Sequence, residues 1–320
     1  MIKHMVALGF AIFISIFSIL SDVVFAAEVK LTVNGPNHSL HAGLNHLVVD
    51  GKDRTFILDI PKALQPNPAL VLVFHGYYDS AESVRKYSGL PAAAEKNGFF
   101  AVYPEGTLDH ENNHYFNVGY EDNTPEERQI DDIKFIHELV ALLIRDLRID
   151  PNAVFATGMS NGADMSYLLA CQTNPIVSAI APVAGTMMTA WQCHPNKRVS
   201  VMEIHGTQDD TTPWVGDLDN RDGQGSYLGT MGVMDFWVKS LGLENTTVKQ
   251  EGIVQVNKKR TGSLVIHQWS TTKDTAEVIL YEVQGGKHDW PLSFGQEGVP
   301  TADVIWRFLS KHRSINYEEK

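Results

Sequence analysis

The chain has 320 residues, 43% of them hydrophobic, and a formal net charge of −12. That length and apolar content suffice for one large buried core. The acidic balance argues against a basic surface for nucleic acid or anionic membrane and otherwise speaks only to solubility.

At the amino end, Lys3 and His4 precede an apolar stretch from Met5 to Leu20, and Val24-Phe25-Ala26-Ala27 offers small residues for cleavage. The pattern predicts a secretory signal peptide over residues 1–26 and a mature domain over 27–320. The apolar part is short for a membrane span, and no second one follows. Residues 28–60 read as an antiparallel strand pair. The run Ala69-Leu70-Val71-Leu72-Val73-Phe74 reads as a buried strand and leads into His75-Gly76-Tyr77-Tyr78. A further strand at about 99–103 opens a polar interval over 105–129. Within it, His110-Glu111-Asn112-Asn113-His114 matches H-E-x-x-H, whose zinc chemistry requires both imidazoles on one helix face. Here the pattern follows Pro104 and Gly106 and carries two asparagines, so it reads as loop. The best helical pattern covers 130–147, with Pro151 just beyond it.

Val154-Phe155-Ala156-Thr157 reads as a strand, Gly158-Met159-Ser160-Asn161-Gly162 follows, and a helical pattern then runs to Cys171. Strand, G-x-S-x-G and helix together make a nucleophile elbow, in which the glycines permit a sharp turn that exposes the serine hydroxyl. Further strands are expected near 178–183, 199–204 and 278–283. The interval 207–228 is polar and Gly-rich. In it, Asp217 to Gly223 resembles a calcium loop but fails, because aligning Gly223 puts Leu218 at the first ligand position. An amphipathic helix over 305–309 closes the chain. Cys171 and Cys193, the two cysteines of an exported chain, are expected to pair as one disulfide.

A serine hydroxyl needs a base, and the base needs an orienting acid. In an elbow-type α/β-hydrolase these follow in the order serine, acid, histidine. His205-Gly206-Thr207-Gln208-Asp209-Asp210 follows one late strand, and Gly285-Gly286-Lys287-His288-Asp289-Trp290 follows the last. The triad assigned is Ser160, Asp209 and His288, with Asp210 the rival acid and His75 and His205 structural. The backbone N–H groups of Tyr77 and Asn161 are the expected oxyanion donors, so side-chain changes there should cost less than the roughly 100- to 1,000-fold in turnover that removing a donor costs. Tyr78, Trp214 and Trp290 are candidates to line the substrate site, as is Tyr103, although core filling is the commoner fate of aromatics.

With these residues in view, the chain resembles the secreted α/β-hydrolases grouped with polyhydroxybutyrate depolymerases and feruloyl esterases. The resemblance rests on Gly51-Lys52-Asp53-Arg54-Thr55-Phe56, His75-Gly76, Tyr103-Pro104-Glu105-Gly106 and Asp131-Asp132-Ile133-Lys134. It continues through the Ser160 elbow, Ala181-Pro182-Val183-Ala184-Gly185, His205-Gly206-Thr207 with Asp209, and His288 with Trp290-Pro291. Departures fall at Ala163-Asp164 and Tyr77-Tyr78, both beside the serine. The resemblance implies an exported serine esterase acting on hydroxybutyrate oligomers or on feruloyl or acetyl esters of polysaccharide. It implies an ester substrate as partner and no metal or organic cofactor. A serine peptidase would use the same triad. The expected architecture is α/β: a mainly parallel sheet with helices on both faces.

Overall fold

The apolar run Leu70–Phe74 forms a strand buried along its whole length, and its side chains divide between two cores. Leu70, Leu72 and Phe74 join Phe135, Leu139 and Trp237, while Val71 and Val73 join Val84, Leu90 and Phe308. Successive side chains on a strand point to opposite faces, so an uninterrupted apolar run demands cover on both. The computed structural model describes residues 40–243, 247–272 and 275–314, and the expected signal peptide lies outside the described residues.

In chain order the sheet contains β1 (Gly43–Val49), β2 (Lys52–Asp59), β3 (Leu70–Phe74), β4 (Phe100–Pro104), β5 (Val154–Met159) and β6 (Ala179–Val183). Then come β7 (Ser200–Gly206), β8 (Thr247–Asn257), β9 (Arg260–Ser270), β10 (Glu277–Val283), β11 (Ser293–Phe294) and β12 (Val299–Pro300). Their spatial order is β1-β2-β4-β3-β5-β6-β7-β10-β9-β8-β11-β12. The central strands β4, β3, β5, β6, β7 and β10 are parallel, and antiparallel pairs extend both edges. Helices α1 (Ala81–Ser88), α2 (Leu90–Asn97) and α6 (Thr301–Leu309) cover one face. The other face carries α3 (Asp132–Leu147), α4 (Asn161–Ala170) and α5 (Thr230–Ser240). This is the expected α/β-hydrolase architecture.

Three differences from the expected elements have local causes. Helix α3 begins at Asp132 because the Asp131 side chain caps it, accepting the Lys134 N–H at 2.8 Å. Helix α6 starts at Thr301, directly after Pro300, and so is longer than the expected stretch over 305–309. The hairpin of β8 and β9 turns at Lys258-Lys259, which carries none of the Asn-Gly or Asp-Gly signal that marks such turns.

A buried ion pair ties the first hairpin to α3. Arg54 donates to Asp132 Oδ1 at 2.6 Å, the Asn117 N–H donates to Oδ2 at 2.7 Å, and the guanidinium lies 4.0 Å over the Phe135 ring. Removing either partner would strand a buried charge.

Cys171, at the end of α4, is bonded to Cys193, closing a loop of 22 residues. Replacing both cysteines by alanine should cost about 3 kcal/mol of stability by loop-closure entropy. Urea unfolding measures this, and a midpoint equal to that of the parent protein would contradict it.

Candidate active site

Ser160 sits where β5 hands over to α4, with φ 56° and ψ −123°. Its N–H donates to Val183 O at 2.9 Å, and its carbonyl accepts from the N–H groups of Ala163 at 2.7 Å and Asp164 at 2.9 Å. A non-glycine residue held at positive φ costs about 1–3 kcal/mol, and surrounding structure must impose it. The flanking glycines are the means. A Cβ on Gly158 would lie 2.4 Å from Gly162 O, and one on Gly162 would lie 2.4 Å from the carbonyl oxygens of Phe74 and His75. The elbow is thereby pressed against the exit of β3.

The same kind of contact joins the acid and histidine loops. A Cβ on Gly206 would fall 2.5 Å from the Gly286 backbone. With that approach, Thr207 N–H donates to Val283 O at 3.0 Å and Gln208 N–H donates to Gly286 O at 2.8 Å. Parallel pairing of β7 with β10 sets the register that ends at Gly206 opposite Val283. The loops therefore leave one rim together, and His288 Nδ1 meets Asp209 Oδ2 at 2.8 Å.

Asp209 Oδ1 accepts the N–H groups of Thr211 at 2.9 Å and Thr212 at 2.8 Å. Burial pushes the Asp209 carboxyl up, but the bond and charge of His288 and the Thr212 amide outweigh it, leaving Asp209 below the usual carboxylate range. Asp210 is exposed and pairs with Lys287 Nζ at 3.0 Å. The structure thus brings Asp209, rather than its neighbour, to His288. It draws no hydrogen bond between His288 and the Ser160 hydroxyl, a contact that in free enzymes often tightens only once substrate is bound.

The expected oxyanion loop reaches the serine. A Cβ on Gly76 would stand 3.5 Å from Ser160 Cβ. Among the described residues, neither the Tyr77 N–H nor the Asn161 N–H has a hydrogen-bond acceptor. The loop is braced by His75, whose Nδ1 donates to Gly76 O at 2.7 Å and whose Nε2 accepts the Gly106 N–H at 2.9 Å. Tyr77 donates to Asp109 Oδ2 at 2.6 Å, and Tyr78 is 73% exposed with φ 66°. Trp214 packs edge-on to His205 with ring centres 5.9 Å apart. Trp290 packs on the α1 side of the sheet, 5.8 Å from the Tyr87 ring.

The Asn161 side chain is tied to Phe116: its Oδ1 accepts the Phe116 N–H at 2.8 Å and its Nδ2 donates to Phe116 O at 2.9 Å. Tyr103 is fully buried among core residues and lines no open site. The H-E-x-x-H stretch forms a turn between strand pieces Thr107–Leu108 and His114–Tyr115. Its two imidazoles take separate partners, Glu127 Oε1 at 2.9 Å and Gly106 O at 2.9 Å.

Asp164 was legible only as a departure from the family pattern. Burial lifts its carboxyl to about 7, against hydrogen bonds from the Tyr120 hydroxyl and the Thr186 N–H, both at 2.7 Å. Glu203 adds to the rise, and the charge of His288 opposes it.

Comparison with known proteins points to one family. The family model described as "Esterase PHB depolymerase" matches residues 55–234. Feruloyl esterase C of Emericella nidulans is 25% identical over 283 residues, covering 86% of this chain and 89% of that protein. Poly(3-hydroxyalkanoate) depolymerase C of Paucimonas lemoignei is 24% identical over 286 residues, covering 86% of this chain and 67% of that one. Among solved structures, an acetyl xylan esterase from Aspergillus awamori superposes with a TM-score of 0.58 at 14% identity, covering 84% of this chain and all of its own.

Asn161→Ala keeps the backbone donor but strands the Phe116 amide and carbonyl. It should lower the unfolding free energy by about 1–3 kcal/mol. A urea midpoint identical to that of the parent protein would contradict the clamp.

Proposed function

We infer that this chain, which belongs to the esterase PHB depolymerase family, hydrolyses carboxylic esters through Ser160, His288 and Asp209. The observation that carries the reading is the 2.8 Å contact of His288 Nδ1 with the buried Asp209 carboxylate, on the rim where the Ser160 elbow also ends. With its Nδ1–H donating a hydrogen bond to Asp209, the neutral imidazole keeps a lone pair on Nε2. That nitrogen takes the proton as Ser160 Oγ attacks the ester carbonyl. The N–H groups of Tyr77 and Asn161 receive the negative oxygen of the tetrahedral intermediate. His288 then passes its proton to the departing alkoxide, leaving an acyl group on Ser160. Water repeats the sequence, with His288 as base and then acid, and releases the carboxylic acid.

The substrates we propose are soluble hydroxybutyrate oligomers or feruloyl and acetyl esters of polysaccharide, in line with the names of the relatives. Tyr78, Trp214 and Trp290 are the proposed acyl-site aromatics. We place residues 27–320 as one exported catalytic domain, released after cleavage following Ala26. The Cys171–Cys193 disulfide fits an oxidising compartment.

Asp209→Asn should lower turnover about 10,000-fold by favouring the wrong imidazole tautomer. Asp210→Asn, at an exposed site, should stay close to the parent rate. Chromogenic esters from acetyl through hydroxybutyryl to feruloyl measure both variants, and the opposite ranking transfers the role to Asp210. A fluorophosphonate probe should label the protein and fail to label Ser160→Ala; labelling that survives the substitution removes Ser160 from the reaction.

A further inference from the structure

Strand β7 ends in Glu203-Ile204-His205-Gly206, so Glu203 and His205 share one face, and both side chains are 1% exposed. His205 Nδ1 lies 2.9 Å from Glu203 Oε1, and Nε2 lies 2.9 Å from the Thr212 carbonyl oxygen. The same Nε2 is 3.5 Å from Asp209 Oδ2, the oxygen that holds His288. A carbonyl oxygen can only accept, so Nε2 must carry a proton. Glu203 Oε1 also accepts the Gly185 N–H at 3.2 Å, and Oε2 accepts the Tyr167 hydroxyl at 2.8 Å. With the Gly185 amide and the Tyr167 hydroxyl already donating to it, the Glu203 carboxyl is arranged as an acceptor, which favours the shared proton on His205 Nδ1.

Burial opposes a cation at His205, and the bond and charge of Glu203 overcome it, so His205 titrates above the ordinary imidazole range. Burial also lifts Glu203, and His205 restrains that rise. Further groups face the pair. Asp164 and Tyr167 come from α4, and Glu282, bonded to His267 at 2.6 Å, sits beside His205 on β10. From the two loops come Asp209 and His288, with the exposed Lys287–Asp210 pair outside them.

We propose that His205 is a positioning residue: held as a cation by Glu203, it shares Asp209 with His288 and restrains the basicity that Asp209 confers on His288. The proposal rests on the triad reading and adds a second imidazole to it. Without the His205 charge, Asp209 would stabilise the His288 imidazolium undivided. The base would then stay protonated to higher pH.

His205→Gln removes the charge and retains a donor for the Thr212 carbonyl. Its kcat/KM against pH, on a soluble acetyl ester, should show the acidic limb moved upward by on the order of half to one pH unit. A uniform loss at every pH with the limb unmoved would mean a packing role only and overturns the proposal. Should the variant fold poorly, imidazole nitrogen NMR on the full parent chain decides it. Assigned through backbone couplings, His205 should remain doubly protonated at a pH above the ordinary imidazole range. A neutral ring there overturns the proposal as surely. Turnover of Ser160→Ala keeps the two readings apart: turnover that persists defeats the triad, while the protonation state of His205 stands or falls independently of it.

Discussion

One carboxylate oxygen organises the rim that carries the proposed triad. Asp209 Oδ2 lies 2.8 Å from His288 Nδ1 and 3.5 Å from His205 Nε2, while Oδ1 is held by the amides of Thr211 and Thr212. An ionised side chain that is 0% exposed survives only with such company. Its position depends on the backbone contact of Gly206 with Gly286, which depends on parallel pairing of β7 with β10. That pairing depends in turn on strands apolar on both faces, covered by three helices on each. The chain of causes runs unbroken from strand composition to the tautomer of one imidazole.

Ser160 is the strained counterpart. Its positive φ is imposed by contacts of the elbow glycines with Phe74 and His75 and by the bond of its amide to Val183. Several stretches that carry the family resemblance prove to be braces for this geometry. Arg54 and Asp132 form the buried pair that ties β2 to α3, and His75 spans Gly76 and Gly106 to set the loop beside the serine. Asn161, whose amide is the proposed oxyanion donor, clamps Phe116 with its side chain.

The parallel core was legible because its strands are largely apolar runs, and the first three of them are followed by helical patterns. The proposed triad could be assigned from the sequence because order and strand-end position follow from that core. The β8–β9 hairpin was not, since Lys258-Lys259 gives no turn signal and one-sided burial at Val254 and Val256 weakens the apolar pattern. The clamp role of Asn161 depends on Phe116, a partner 45 residues away, and spacing within a motif does not encode it. Glu203 could have been found: a carboxylate two residues before His205 on an otherwise apolar strand must face the same side and needs a partner.

The most direct test of the account is a structure of the protein inhibited by a phosphonate monoester, a stable mimic of the tetrahedral intermediate. The account predicts phosphorus bonded to Ser160 Oγ and the phosphoryl oxygen about 2.7–3.1 Å from the N–H groups of both Tyr77 and Asn161. His288 Nε2 would then lie in hydrogen-bonding range of Ser160 Oγ, with Nδ1 still on Asp209. A phosphoryl oxygen turned away from those two amides, or an imidazole out of reach of Oγ, would contradict it.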